Sequence, residues 1–73
     1  MTKTKMTIEG MPVTRYEFPE SMHYIFISRW GVAVTRRDPI TRRLVVSRRD
    51  GSNARSYKTA GGSHRYLMQL LTF

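Results

Sequence analysis

Two histidines and five carboxylates are all that this 73-residue chain offers for acid–base chemistry or hard-metal ligation. His23 and His64 lie far apart, and Glu9, Glu17, Glu20, Asp38 and Asp50 are scattered singly, so no spacing suggests a paired acid and base or a ligand set. There is no cysteine, which removes thiolate sites and disulfides. Gly61-Gly62 stands alone, without the rest of a phosphate-binding glycine loop. Ser63 and His64 are neighbours in sequence, which says nothing about a triad. No catalytic residue, metal, cofactor or small-molecule substrate is expected.

The chemistry this chain can do is that of arginine. A hexad recurs three times: Thr35-Arg36-Arg37-Asp38-Pro39-Ile40, Thr41-Arg42-Arg43-Leu44-Val45-Val46 and Ser47-Arg48-Arg49-Asp50-Gly51-Ser52. Each copy opens with a hydroxyl residue and an arginine pair. The guanidinium is a planar fork of donors that suits phosphates, carboxylates and base edges. A four-residue loop at Asp38–Thr41 would set Arg37 opposite Arg42 and Arg36 opposite Arg43. Like charges facing each other on a ladder cost roughly 0.2–1 kcal/mol each, a conflict that an external anion would relieve.

Charge is divided along the chain. Residues 1–28 balance Lys3, Lys5 and Arg15 against Glu9, Glu17 and Glu20, so the whole formal net charge of +8 falls after them. The candidate contacts to nucleic acid or to an acidic partner are therefore Arg29, Arg36, Arg37, Arg42, Arg43, Arg48, Arg49, Arg55, Lys58 and Arg65. Tyr24, Phe26 and Trp30 are candidate aromatic anchors for a protein contact. Trp30, in the middle of the best strand pattern, has the competing expectation of a core position.

The elements that must position these groups form one small domain, since a chain of this size buries only about 60% of its unfolded surface. Residues 1–10 are expected to be a flexible N-terminus and residues 11–73 a single β-meander with a helix. Met11 to Phe18, bracketed by Pro12 and Pro19, reads as an edge strand, followed by a turn at Pro19-Glu20-Ser21. His23 to Arg37 alternates as the best strand pattern, and a bulge or bend at Gly31 splits it, since the stretch is too long for one typical strand. Asp38-Pro39 marks a turn, Thr41 to Arg49 a returning strand, and Asp50-Gly51 a type I′ hairpin. Ser52 to Thr59 is a poorer strand. Gly61-Gly62 ends the sheet, and Ser63 caps a short helix carrying Leu67, Leu70 and Leu71 on one face. The fold class is α+β: a twisted antiparallel sheet of three to four strands with one C-terminal helix.

From Trp30 to Leu71, the run Arg29-Trp30-Gly31-Val32, two basic hairpins, Tyr57-Lys58-Thr59-Ala60 and a terminal helix resembles the sheet-plus-helix DNA-binding domains of plant AP2 factors and phage integrase arm-binding modules. That resemblance implies a sheet facing the major groove, with Arg29, Arg36, Arg42 and Arg48 among the DNA contacts. The family's alanine-rich helix is missing, and Gly61-Gly62 replaces its acidic helix start. In size, basic character and lack of cysteine the whole chain is similar to small phage-encoded regulators of host RNA polymerase, of the Xanthomonas-phage type. This likeness implies a transcription regulator in the host bacterial cytoplasm that inhibits initiation and promotes antitermination. Gly62-Ser63-His64 with Tyr66 resembles the Gly-Ser-His motif of HicA-type mRNA-cleaving toxins, but there the histidine lies on an early strand. No run of apolar residues suggests a membrane span or a secretory signal. The expected partners are host RNA polymerase and DNA or RNA, and the oligomeric state is open.

Overall fold

The computed structural model describes residues 1–72. Its elements run β1 (Thr2–Ile8), β2 (Met11–Phe18), a short 3-10 turn (Pro19–Ser21), β3 (His23–Ser28), β4 (Val32–Arg37), β5 (Leu44–Arg48), β6 (Arg55–Tyr57) and α1 (Ala60–Thr72). All six strands form one antiparallel sheet in sequence order, with the helix on one face. The α+β class is as expected; the strand count is higher than the three to four expected.

The extra strands come from two places. Residues 1–10, expected to be flexible, hold β1, which pairs with β2 along its whole length from Thr2↔Glu17 to Ile8↔Met11. Its seven residues alternate, Thr4, Met6 and Ile8 half-buried against exposed Lys3, Lys5 and Thr7. That is the period of a one-sided strand. Glu9 (φ 49°) and Gly10 (φ 80°) connect it to β2, both with the positive φ that a type I′ hairpin demands. Met11–Phe18 is therefore an inner strand, not an edge. Pro12 is tolerated because pairing with β3 starts only at Val13↔Ser28.

The second place is Gly31. The stretch His23–Arg37, expected to be split at Gly31 by a bulge or bend, is in fact a hairpin, folding back through Arg29-Trp30 so that Ile27 pairs with Val32. Ser28 makes this tight reversal possible. Its hydroxyl oxygen accepts from the backbone N–H groups of Trp30 (3.1 Å) and Gly31 (3.0 Å), and its O–H reaches the Leu71 carbonyl (2.5 Å) near the helix end. Trp30 thus leaves the core for the hairpin tip, where it is 55% exposed.

The remaining connections also differ. Arg37 pairs with Leu44 and Arg36 with Val45, so the β4–β5 loop is longer than four residues and the arginine pairs do not face one another. Asp38 organises it as expected of a capping aspartate, accepting from Ile40 N–H (2.8 Å) and Thr41 N–H (3.0 Å). Arg42 takes the positive φ (60°) that closes the loop. At Asp50-Gly51 only the glycine has positive φ (86°), and Gly51 N–H bonds the Arg48 carbonyl, so the connection is a turn with a bulge and not type I′. β6 shrinks to three residues, a short edge that offers little backbone for mispairing.

The helix begins at Ala60, before Ser63. Thr59 caps it, its hydroxyl accepting from Gly62 N–H at 3.0 Å, while Ser63 is buried and donates to the Ala60 carbonyl. Gly61-Gly62 sit in the first turn and do not end the sheet. Ser63, Tyr66, Leu67, Leu70 and Leu71 form its buried stripe at i, i+3, i+4, i+7 and i+8. Tyr66, Leu67, Leu70 and Leu71 pack with Met11, Val13, Ala33, Leu44 and Val46 into one core.

Candidate nucleic-acid interface

Antiparallel register fixes which side chains share a face. The rungs Thr2–Glu17–Tyr24–Thr35–Val46–Arg55, Thr4–Arg15–Phe26–Ala33–Arg48, Met6–Val13–Ser28, Ile8–Met11 and Arg37–Leu44–Tyr57 lie under the helix, and they hold the buried sheet residues other than Ser47. The alternate rungs, Lys3–Tyr16–Ile25–Val34–Ser47, Lys5–Thr14–Ile27–Val32 and Phe18–His23–Arg36–Val45–Ser56, face away from it. No element of the described chain covers this second face. Yet its middle is apolar: Tyr16, Phe18, Ile25, Ile27, Val32 and Val34 line a shallow groove with Arg49. Ile27 is 39% exposed. A contiguous uncovered apolar patch of this kind marks an interaction surface more often than a solvated one.

Cations frame the groove from both sides. Lys3 and Lys5 project from β1, with the Lys3 ammonium 5.9 Å from the Tyr16 ring centroid. Arg36 rises from β4, Arg49 lines the groove, and Arg43 is held at the β5 edge by Nε donation to Ser56 Oγ (3.1 Å). At one end a second shallow depression, lined by Trp30, Gly31, Val32, Arg48, Arg49 and Asp50, shares Val32 and Arg49 with the groove. There the Arg29 guanidinium lies 5.9 Å from the Trp30 ring. At the other end His23 stacks on Phe18, centroids 4.6 Å apart and planes within 9°.

Of the carboxylates only Asp50 borders this surface, in the depression beside Trp30. Glu17 is on a helix-side rung, Glu9 is in the β1–β2 turn, 3.5 Å from His64, and Glu20 is in the 3-10 turn. Asp38 and Asp50 lie in loops, each with its pKa below the ordinary aspartate value. The Thr41 and Ile40 backbone N–H groups hold Asp38 ionised, and the hydroxyl and N–H of Ser52 do the same for Asp50. None of the five acids occupies a strand position on the open face.

The ten basic residues expected to act together are divided. Arg36, Arg43 and Arg49 border the open face, and Arg29 adjoins it beside Trp30. Arg37 and Arg48 stand on helix-side rungs, Arg37 donating to the Arg42 carbonyl (2.7 Å) and so bracing the loop that carries Arg42. Arg55 lies over the Tyr66 ring at 4.3 Å, and Tyr66 hydroxyl donates to the Asn53 carbonyl, pinning the β5–β6 loop to the helix. Lys58 and Arg65 are exposed, one before the helix and one on it. Among the aromatics, Tyr24 and Phe26 are half-buried on the helix side, so they do not join Trp30 in one surface. The sequence reading missed Lys3, Lys5, Tyr16, Phe18 and His23. The Lys-x-Lys alternation against Met6 and Ile8 was the available signal.

Arg29, Arg36, Arg42 and Arg48, which the AP2-like resemblance would align along one groove, do not share a face. Arg36 and Arg48 are on opposite rungs, and Arg29 and Arg42 sit in two different loops. No group of three or more histidines and carboxylates that could hold a metal exists among the described residues, and no helix there is long and apolar enough to cross a membrane. No protein-family model, curated protein or solved structure matches the chain.

Proposed function

We propose that this chain is a non-catalytic nucleic-acid-binding protein whose open sheet face carries the contact. In keeping with the small-regulator likeness, we place its action at the transcription machinery, with this face toward DNA or RNA beside a host RNA polymerase. One observation carries the reading: an uncovered face framed by cations on both flanks, with no carboxylate at any of its strand positions. A solubilising surface mixes signs. A face whose strand positions carry one sign only is suited to a polyanion, because every cation on it can release a counterion when a phosphate replaces it. The likeness to HicA-type toxins gains no support, since Ser63 is bonded to the Ala60 carbonyl and His64 faces Glu9.

Mobility shifts with RNA, single-stranded DNA and duplex DNA at 50 and 200 mM salt test the nucleic-acid reading. Binding at the lower salt that falls steeply at the higher supports it; no shift with any of the three at 50 mM salt refutes it. Capture from bacterial lysate, with and without nuclease, tests the polymerase setting. Polymerase subunits retained after nuclease treatment support it, and subunits lost with the nucleic acid refute direct contact.

A further inference from the structure

We propose that the nucleic acid taken by the open face is single-stranded, with unpaired bases laid on Tyr16, on the Phe18–His23 pair and on Trp30. The inference rests on the nucleic-acid reading above and narrows it to one class of ligand.

Three features lead there. First, the face offers ring surfaces, not only charge. Tyr16 and Phe18 alternate on β2 and so share the open face, His23 extends Phe18 into a near-parallel pair, and Trp30 stands exposed at the far tip. Aromatic rings accept any base through its π-face. Second, the face is apolar between its cations, with Ile25, Ile27, Val32 and Val34 at its centre. A duplex hides its base faces and would bring sugar, phosphate and the polar edges of bases to this strip, leaving the rings and most aliphatic side chains without a flat apolar partner. A single strand brings both phosphates for the flanks and flat apolar surface for the middle. Third, the path has a usable length. From His23 to Trp30 the chain advances along one strand and into its hairpin tip, about 20 Å at 3.3 Å per residue. That is room for about four nucleotides, the small end of single-strand sites on sheets.

Charge argues against the other occupants of an open apolar face. A second copy of the chain would set Lys3, Lys5, Arg36 and Arg49 against their own likeness, with no carboxylate at a strand position of the face and only Asp50 at its end to answer them. An acidic protein would satisfy the cations, but it would have to set apolar side chains among its carboxylates to cover half-buried Tyr16, Phe18 and His23 and exposed Trp30, whereas a single strand carries phosphates and flat bases along one backbone.

The test compares four ligands by anisotropy and by the fluorescence of the single tryptophan, Trp30. They are oligothymidylate, an abasic sugar–phosphate oligomer of equal length, the corresponding duplex, and polyglutamate. Oligothymidylate should bind on the order of tenfold or more tightly than the abasic oligomer and should alone quench Trp30, because each stacked base contributes separately. Tyr16→Leu and Trp30→Leu, each confirmed folded by circular dichroism, should each cost roughly tenfold for oligothymidylate and nothing for the abasic oligomer. If the abasic oligomer and the duplex bind as tightly as the single strand, base stacking is refuted while nucleic-acid binding stands. Tight binding and Trp30 quenching by polyglutamate overturn it in favour of an acidic protein. Failure of every nucleic acid to bind overturns both readings. The comparison of ligands on the unaltered protein decides the matter even where a variant fails to fold.

Discussion

The charge arrangement makes a quantitative prediction about salt. Six cations are placed to meet phosphates on or beside the open face: Lys3, Lys5, Arg29, Arg36, Arg43 and Arg49. If each meets one phosphate of a single strand, log K against log salt has a slope of about −4, from roughly −0.7 per phosphate. Between 50 and 200 mM salt that is a loss of about 300-fold. Changing Arg36, Arg43 and Arg49 together to serine leaves about three contacts, a slope near −2 and a loss of only about 20-fold over the same range. The control changes Arg55, Lys58 and Arg65, none of which lies on an open-face rung or lines the groove or the depression beside Trp30.

Both triple variants lower the formal net charge of +8 by the same three units, so they separate position from total charge. The assay is fluorescence anisotropy of a labelled oligonucleotide over a salt series, with thermal unfolding to confirm that each variant is folded. Arg43→Ser also loses its hydrogen bond to Ser56, which is at the surface and costs little. The face assignment requires the first variant to lose about half its slope and the control to keep nearly all of it. Equal loss in the two would mean that the chain attracts polyanions by net charge alone, and the reasoning from the open face would be wrong.

Four further predictions concern the frame that holds this face. Ser28→Ala deletes the acceptor for two backbone N–H groups and the donor to Leu71, so it should cost about 1–3 kcal/mol, or a drop of several degrees or more in the melting temperature. Leu71→Ala opens a cavity at a fully buried position and should cost about 2–5 kcal/mol, whereas Trp30→Ala, at an exposed tip, should leave the melting temperature nearly unchanged. Arg15 packs over Tyr24 with its guanidinium 5.4 Å from the ring, but its buried Nε has no partner among the described residues. Arg15→Met keeps the packing and removes the orphaned donor, so chemical denaturation should show stability unchanged within about 1 kcal/mol or raised. Asp38 and Asp50 have pKa values depressed in the folded state, so their stabilisation is present above about pH 4, the unfolded aspartate value, and is lost as pH falls through the lower folded values. Melting temperature measured from pH 7 down to pH 2 should therefore fall less in Asp38→Ala than in the unaltered chain.

Much of the frame was legible in the sequence. Met11–Phe18 emerged with its bounds intact because β-favouring residues lie between two prolines, and the leucine stripe of the helix announced its buried face. Misreadings arose where two local signals competed and tertiary contacts decided between them. Asp50-Gly51 and Glu9-Gly10 are similar dipeptides, yet only the second takes positive φ at both positions, since there the strands pair right up to the turn at Ile8↔Met11. Gly31 looked like a bulge or bend splitting a long stretch; a serine three residues earlier, bonded to a helix more than forty residues away in sequence, turns it into a hairpin. That long-range bond is invisible to periodicity. So is the promotion of β1, whose threonines and lysines offer little apolar surface and form a strand only because Met6 and Ile8 find the core.

The arginine repeat shows most clearly why a pattern does not by itself define a surface. Adjacent residues in a strand point to opposite faces, so an Arg-Arg pair sends one arginine to each side wherever the pair lies in extended chain. Arg36 and Arg37 divide in this way, and so do Arg48 on a helix-side rung and Arg49 in the open groove. The repeat therefore charges both faces alike, and it cannot be what makes one of them a binding face. The asymmetry comes instead from the residues of opposite sign. Glu17 stands on the helix side, and the other acids are held in turns and loops, two of them locked there by backbone N–H donors. What selects the open face is the exclusion of carboxylates from it, together with the aromatic residues of β2 and β3 that no other element covers.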